Sequence, residues 1–315
     1  MIVNTRKNFL IYMPTYGRPE VSLKQAKTIY KQIQEHRKTL TKVDFKFLIS
    51  INCDSSYPSS DFEKYSDMLI FQPVNLGGNI NIAFGFFQAK QDHYNYLWII
   101  GDDEPISESA LSTISGLICE SDYDFLIGSR LKLGNFIINN SYMDLSNMTG
   151  GTPSFISSTI YSCKFNIDDA YTALRYEFTH FPHLVLINRI IERNNKIKIN
   201  LIPLETLCRV SERVYKFPKV TRNNMSIRDS TVFFGKPLSL LGSNNQSYTA
   251  REIKKWWRKN WHYVSMYYNK YDFRGDILIS MSKNYKVLLP LIYLSKLPIF
   301  RIKNILDLVM KKTDV

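Results

Sequence analysis

The chain has 315 residues, 44% of them apolar and 22% charged, enough to bury a sizeable core in one large domain or two modest ones. Its formal charge is +13, but residues 245–315 hold 14 Lys and Arg against 5 Asp and Glu, so +9 of that excess lies there and only +4 in the rest, which speaks against a general nucleic-acid surface. The four cysteines, Cys53, Cys119, Cys163 and Cys208, have no short spacing; they form neither a zinc pattern nor a disulfide framework and fit reduced thiols in a cytoplasmic protein.

Residues 1–8 are mostly polar and carry no signal-peptide pattern. Residues 9–13 (FLIYM) read as a buried strand that runs into the turn-rich Pro14-Thr15-Tyr16-Gly17-Arg18-Pro19. A helix is expected over 20–37, where Leu23, Ala26, Tyr30 and Ile33 fall near helical spacing. Residues 45–51 form a second strand, ending in Asn52-Cys53-Asp54-Ser55-Ser56. A short third strand over 68–71 leads through Asn75-Leu76-Gly77-Gly78 into a helix over 80–90. The fourth strand is a run of large apolar residues, Tyr96 to Ile100, stopped by Gly101-Asp102-Asp103-Glu104-Pro105. A fifth follows over 124–127. Strands alternating with helices predict an α/β fold with a largely parallel sheet.

After Gly128 the regularity weakens. Residues 135–140 and 155–161 read as strands, with Gly150-Gly151-Thr152-Pro153 as a turn between them. Residues 182–193 read as a helix and 196–201 as an edge strand. Residues 206–250 are irregular, and from Tyr248 onward the chain reads as helical and basic. The apolar run 287–295 is too short for a bilayer span, which needs about 20 residues.

The acidic corner organises the rest. A strand buried on both faces delivers three adjacent carboxylates to the carboxyl edge of the sheet, where ligands of open α/β sheets bind. Adjacent carboxylates repel unless something positive sits among them, and a hard divalent cation that also bridges phosphates meets that need. A solvated acidic turn is the alternative. The other strand ends add polar groups: Pro14, Thr15, Tyr16 and Arg18 after the first, Asp54 after the second, Asn75, Gly77 and Gly78 after the third. Singly, Thr15 and Tyr16 could be only a turn, Asp54 a helix cap, and the glycine pair a plain helix start, although glycines there also let phosphate approach closely.

Together, Met13-Pro14-Thr15-Tyr16-Gly17-Arg18, the Asp54 loop, Asn75-Leu76-Gly77-Gly78 and Trp98-Ile99-Ile100-Gly101-Asp102-Asp103-Glu104 resemble, in order and spacing over about the first 130 residues, the nucleotide-sugar-binding half of the inverting family 2 glycosyltransferases. The resemblance implies a GT-A (Rossmann-like), mostly parallel sheet. It implies that the Pro14–Arg18 loop, Asp54, Asn75, Gly77, Gly78 and Asp102 hold the nucleotide-sugar, with Asp102 nearer the ribose. Asp103 and Glu104 would hold Mn²⁺ or Mg²⁺ on the diphosphate, Glu104 standing where the family often has Asp. An inverting transferase also needs a general base. The register that fits best places His183 where the family has its Asp, with His180 and Glu177 as close rivals; a helix-start histidine with a structural hydrogen bond and a metal-ligand histidine are the alternatives for His183. Asp168-Asp169 reads as a helix cap.

The C-terminal stretch interleaves Trp256, Trp257, Trp261 and Tyr263 with Lys and Arg. That composition suits an in-plane helix on anionic lipid, and equally a helical subdomain packing its own aromatics. The organisation read from the sequence is a catalytic domain over 1–205, an irregular connection over 206–244 and a basic aromatic helical region over 245–315. The expected partners are a nucleotide-sugar donor, a UDP-sugar first among them, a glycan or lipid-linked acceptor of surface polysaccharide or lipooligosaccharide synthesis, and the inner face of the cell membrane. Two rivals remain. A nucleotidyltransferase of similar sheet design would want a glycine-rich loop after the first strand, where this chain has Gly17 alone. A non-enzymatic basic binder of lipid or nucleic acid would leave the acids as solvated turns.

Overall fold

The computed structural model describes residues 6–39, 42–179, 181–208, 239–245, 247–249, 251–252 and 255. The first half alternates as expected: β1 (Lys7–Thr15), α1 (Pro19–Arg37), β2 (Val43–Asn52), α2 (Ser59–Glu63), β3 (Met68–Gln72), α3 (Gly78–Gln91), β4 (Tyr96–Ile99), α4 (Ala110–Glu120) and β5 (Phe125–Ser129). Then come β6 (Gly134–Ile138), α5 (Tyr142–Thr149), two 3₁₀ turns (Thr152–Ser154 and Ile156–Ser158), β7 (Thr159–Ser162), α6 (Ile167–Arg175), a third 3₁₀ turn (Glu177–Thr179), α7 (Pro182–Arg193), β8 (Ile197–Pro203) and the short α8 (Leu204–Leu207).

The eight strands form one sheet in the order β3-β2-β1-β4-β7-β5-β8-β6. Six run in the same direction, while β6 and β7 run against them. The two-residue period of a strand sends alternate side chains to opposite faces, and the central strands are apolar on both. Leu10 and Tyr12 of β1 and Leu97 and Ile99 of β4 join a core with α3, α5, α6 and α7. Phe9, Ile11 and Met13, with Tyr96, Trp98 and Ile100, join a second core with α1, α2, α4 and α8. The result is a three-layer α/β/α sandwich.

Two expectations fail in the second half. Residues 156–158 turn as 3₁₀ rather than extend, and β7 begins only at Thr159. Ser158 Oγ donates to the carbonyls of Thr152 and Phe155, local bonds that hold the turn against extension. The strand over 197–203 is not at the edge: β8 lies between β5 and β6, and β6 is the outer strand. Ile197, Ile199 and Leu201 point into the core from β8. Asp169 caps as expected, in a reciprocal capping box with Asn166. The basic stretch from residue 256 onward lies outside the described residues.

Candidate active site

The strand order reverses between β1 and β4, and their carboxyl ends meet at this switch point, the place where doubly wound sheets bind ligands. Thr15 ends β1 and is only 3% exposed. Its hydroxyl donates to Asp102 Oδ2 at 2.6 Å and accepts from Tyr57 Oη at 2.7 Å, while Tyr57 Oη accepts the Arg18 backbone N–H at 3.0 Å. Ser22 Oγ, in the first turn of α1, lies 2.9 Å from the same Asp102 oxygen. One chain of hydrogen bonds therefore joins the first loop, the Tyr57 segment and the acidic corner. Burial pushes the Asp102 carboxyl above the usual range, with Thr15, Arg18 and Ser22 pulling it back.

The Arg18 guanidinium forks over this corner. Nη2 bonds Asp102 Oδ1 and Nη1 bonds Asp103 Oδ2. The two halves of the fork differ in setting: the Asp102 side chain is 3% exposed and that of Asp103 is 50% exposed. An exposed ion pair contributes about 0–1 kcal/mol. Stripping a buried carboxylate of its partner costs about 3–5 kcal/mol. The positive charge demanded by the run of carboxylates is thus supplied within the chain, from β1's own loop.

The second and third strand ends are shaped by side chain to backbone bonds. Asp54 Oδ2 accepts Gly17 N–H at 2.9 Å, and its Oδ1 accepts the backbone N–H and hydroxyl of Ser56. The Ser56 hydroxyl, then its N–H and that of Gly17, hold the carboxyl below the usual range. Asp54 caps no helix; it pins the first loop to the second. Asn52 at the end of β2 accepts Leu76 N–H at 2.7 Å and donates to Asn75 Oδ1 at 2.8 Å, and Asn75 Oδ1 also accepts Gly77 N–H. Asn75 therefore builds the loop into which the sequence placed it as a ligand group. Gly77 takes φ 75° and ψ 159°, a region essentially reserved for glycine. A Cβ at Gly78 would meet nothing within 4 Å, so the start of α3 is open to a ligand. Beneath it, Asn81 accepts from Tyr12 Oη and Ser50 Oγ in a buried polar network.

The Glu104 carboxyl is largely withdrawn from solvent, although the charge of Asp103 still reaches it. Glu104 folds back over Gly101, where a Cβ would come within 2.8 Å of its carboxyl carbon, and it accepts the Ser157 hydroxyl. Ser157 Oγ in turn accepts Gly101 N–H at 2.8 Å, and the Ser157 carbonyl accepts the Trp98 indole N–H at 2.8 Å. Burial pushes Glu104 up to about 7. Among the described residues no group of three or more His, Cys, Asp or Glu could hold a metal ion. A three-carboxylate cage does not fit. A cation carried mainly by phosphate oxygens does, because Mg²⁺ is commonly held by one or two carboxylates plus substrate phosphates, and Asp103 is half-exposed at this edge.

The candidate bases part company. His183, in the first turn of α7, is 3% exposed, with Nε2 3.2 Å from the Ser154 carbonyl and its ring against Phe181. His180 lies outside the described residues. Glu177 is half-buried on the 3₁₀ turn beside α3, where its carbonyl accepts Asn79 Nδ2 at 3.0 Å. The glycine loop and the Glu177 turn are therefore neighbours. Pro14 pairs with Ser50 in the sheet, and Tyr16 is 52% exposed at the tip of the first loop.

Ser22, Asn52, Tyr57 and Ser157 escaped the sequence reading. Each bonds at least one partner far away in sequence, and only Asn52, the polar residue ending the apolar run of β2, left a visible signal.

No family model and no curated protein matches the sequence. Solved structures do match in shape. The crystal structure of S. aureus TarS 1–349 gives a TM-score of 0.53 at 10% identity, over 90% of this chain and 81% of that one. The same protein in complex with UDP-GlcNAc gives 0.52 at 12% identity, over 92% and 82%. Its complex with UDP gives 0.50 at 13% identity, over 80% and 72%. The chain has the mixed α/β fold of these structures, an eight-stranded, mostly parallel sheet between helices.

Proposed function

We propose that the chain is a glycosyltransferase that moves a sugar from a nucleotide-sugar donor, with inversion, to a glycan or lipid-linked glycan acceptor of surface polysaccharide synthesis. The observation that carries this reading is the hydrogen-bonded union of four strand ends at the switch point, Thr15, Asp54, the Asn75–Gly78 loop and Asp102–Asp103. The likeness in fold to a protein captured with UDP-GlcNAc and with UDP supports it.

In this reading the first loop and the Asp54 loop flank the nucleoside, with the exposed Tyr16 ring beside it. The open start of α3 at Gly78 admits the diphosphate toward backbone N–H groups and the positive end of the helix. Asp103 would hold Mn²⁺ or Mg²⁺ together with diphosphate oxygens, and the bound cation would neutralise the leaving group. Asp102, Thr15 and Arg18 keep the corner in place. Glu177 takes the acceptor proton, because it is the half-buried candidate next to the donor loop. His183, whose ring nitrogen meets the Ser154 carbonyl, positions the Thr152–Ser154 turn that precedes Ser157. The basic aromatic stretch over 245–315 would bring a lipid-linked acceptor to the site; removing residues 281–315 is expected to release the protein from anionic vesicles.

The test is thermal stabilisation by UDP, GDP, CDP and dTDP with and without Mn²⁺, followed by release of the nucleotide from its sugar conjugate. Stabilisation by one nucleotide that depends on Mn²⁺ and disappears in Asp103→Asn is expected. No shift with any of the four would remove the reading. Glu177→Gln should keep the shift and lose transfer, whereas full activity in that variant would return His183 or His180 to the role.

A further inference from the structure

Arg18 sits where the proposed cation would have to arrive. Its Nη1 occupies Asp103 Oδ2, the half-exposed carboxylate that a diphosphate-borne cation needs. Its Nη2 is held at the same time by Asp102, which is 2% exposed and bonded on its other oxygen by Thr15 and Ser22. The backbone of Arg18 is fixed too: its N–H donates to Tyr57 Oη and its carbonyl accepts Ser22 N–H and Ser22 Oγ. Only the outer half of the fork pairs with an exposed carboxylate, where solvent and ions compete with the ion pair. A guanidinium presents parallel donors in a rigid fork suited equally to carboxylate and to phosphate oxygens.

We propose that Arg18 is an exchangeable counter-ion: in the empty site its Nη1 competes with a divalent cation for Asp103, and when a cation–diphosphate pair arrives Nη1 passes from Asp103 to a diphosphate oxygen while Nη2 stays on Asp102. This deepens the proposed function, since it rests on Asp103 being the carboxylate that meets the cation. The step is an exchange of hydrogen bonds; no covalent bond forms or breaks, and total charge is unchanged. It makes cation and diphosphate bind together rather than one at a time, because either alone must leave Asp103 or Arg18 poorly partnered.

The experiment measures Mn²⁺ binding by the full chain without nucleotide, by electron paramagnetic resonance, in the native protein, Arg18→Gln, Asp103→Asn and the double variant. Arg18→Gln is expected to bind Mn²⁺ about fivefold more tightly, the loss of one exposed competing ion pair. The gain should vanish in the double variant. Inorganic pyrophosphate titrated in the presence of Mn²⁺ should bind about tenfold more weakly to Arg18→Gln than to the native chain, through loss of one charge-assisted bond. Arg18→Lys, which can serve buried Asp102 but has no fork to reach Asp103 as well, should show the same Mn²⁺ gain and guards against a folding defect in the Gln variant. Unchanged or weaker Mn²⁺ binding in both variants overturns the exchange, as does a gain that survives Asp103→Asn. A gain in Mn²⁺ affinity in a protein that transfers no sugar supports the exchange and removes the glycosyltransferase reading instead.

Discussion

Single side chains decide how tightly the strand ends are bound to one another. Thr15 is the clearest case, because its one hydroxyl serves both Asp102 and Tyr57 in a buried setting. Thr15→Val keeps the shape and removes the donor, leaving a buried carboxylate with one bond fewer. The expected cost is about 2–3 kcal/mol in urea denaturation, and Thr15→Ser should recover most of it. Equal stabilities for Val and Ser would show that the hydroxyl does not hold the corner. Glu104 makes a pH prediction. Its folded carboxyl lies near 7 against an ordinary value of 4.5, so the folded chain holds a proton that the unfolded chain has released between those limits. Stability from this group is therefore greatest at and below about pH 4.5 and falls as pH rises toward 7, with a slope of at most about 1.4 kcal/mol per pH unit. Glu104→Gln removes that component. In chelated buffer, the difference in stability between native and Gln proteins should move in the variant's favour from pH 4.5 to 7, and a difference that stays flat would refute the assignment.

At the scale of elements, the glycines before α3 separate construction from recognition. Gly77 needs its unusual φ and ψ, so Gly77→Ala should cost about 1–3 kcal/mol although nothing crowds the added methyl. Gly78 has an ordinary conformation and open space, so Gly78→Ala should leave stability within about 0.5 kcal/mol. If the opening admits a diphosphate, the same change weakens nucleotide binding, and undiminished binding in calorimetry would show that the diphosphate lies elsewhere. The same contrast marks what the sequence displays. The buried strands were legible because both faces of β1, β2 and β4 are covered, which leaves continuous apolar runs ending in polar residues. α7 was legible from Pro182 and the spacing of its leucines and isoleucines. The second half was not, because 3₁₀ turns have no hydrophobic period, and because β8 carries Lys198 among its apolar residues and so resembles an edge strand. The acidic corner was visible as a charge problem. Its resolution by Arg18 and Ser157 was not, since both partners come from other loops, joined only by the fold.

At the scale of the whole molecule, the last described residues are fastened to the sheet's helical face by carboxylates that the sequence reading left without a role. Glu192 on α7 accepts the backbone N–H groups of Asn244 and Asn245. Glu252 is fully buried; it accepts Met143 N–H at 2.7 Å and Ser141 Oγ at the start of α5, and lies 3.2 Å from Arg251 Nε and 3.3 Å from Lys255 Nζ. A buried charge with cations and donors on several sides is costly to disturb, because its partners lose their compensation together. Glu252→Ala is therefore expected to lower stability by about 3–5 kcal/mol in chemical denaturation, with Glu252→Gln intermediate because its amide oxygen still accepts from Met143. The change lies on α5's side of the sheet, away from the β1–β4 switch point, so any nucleotide affinity retained by the folded fraction should equal that of the native chain. A loss below about 1 kcal/mol would mean that water reaches Glu252 and that the segment docks without it. A selective loss of nucleotide binding with stability intact would instead tie the C-terminal segment to the donor site.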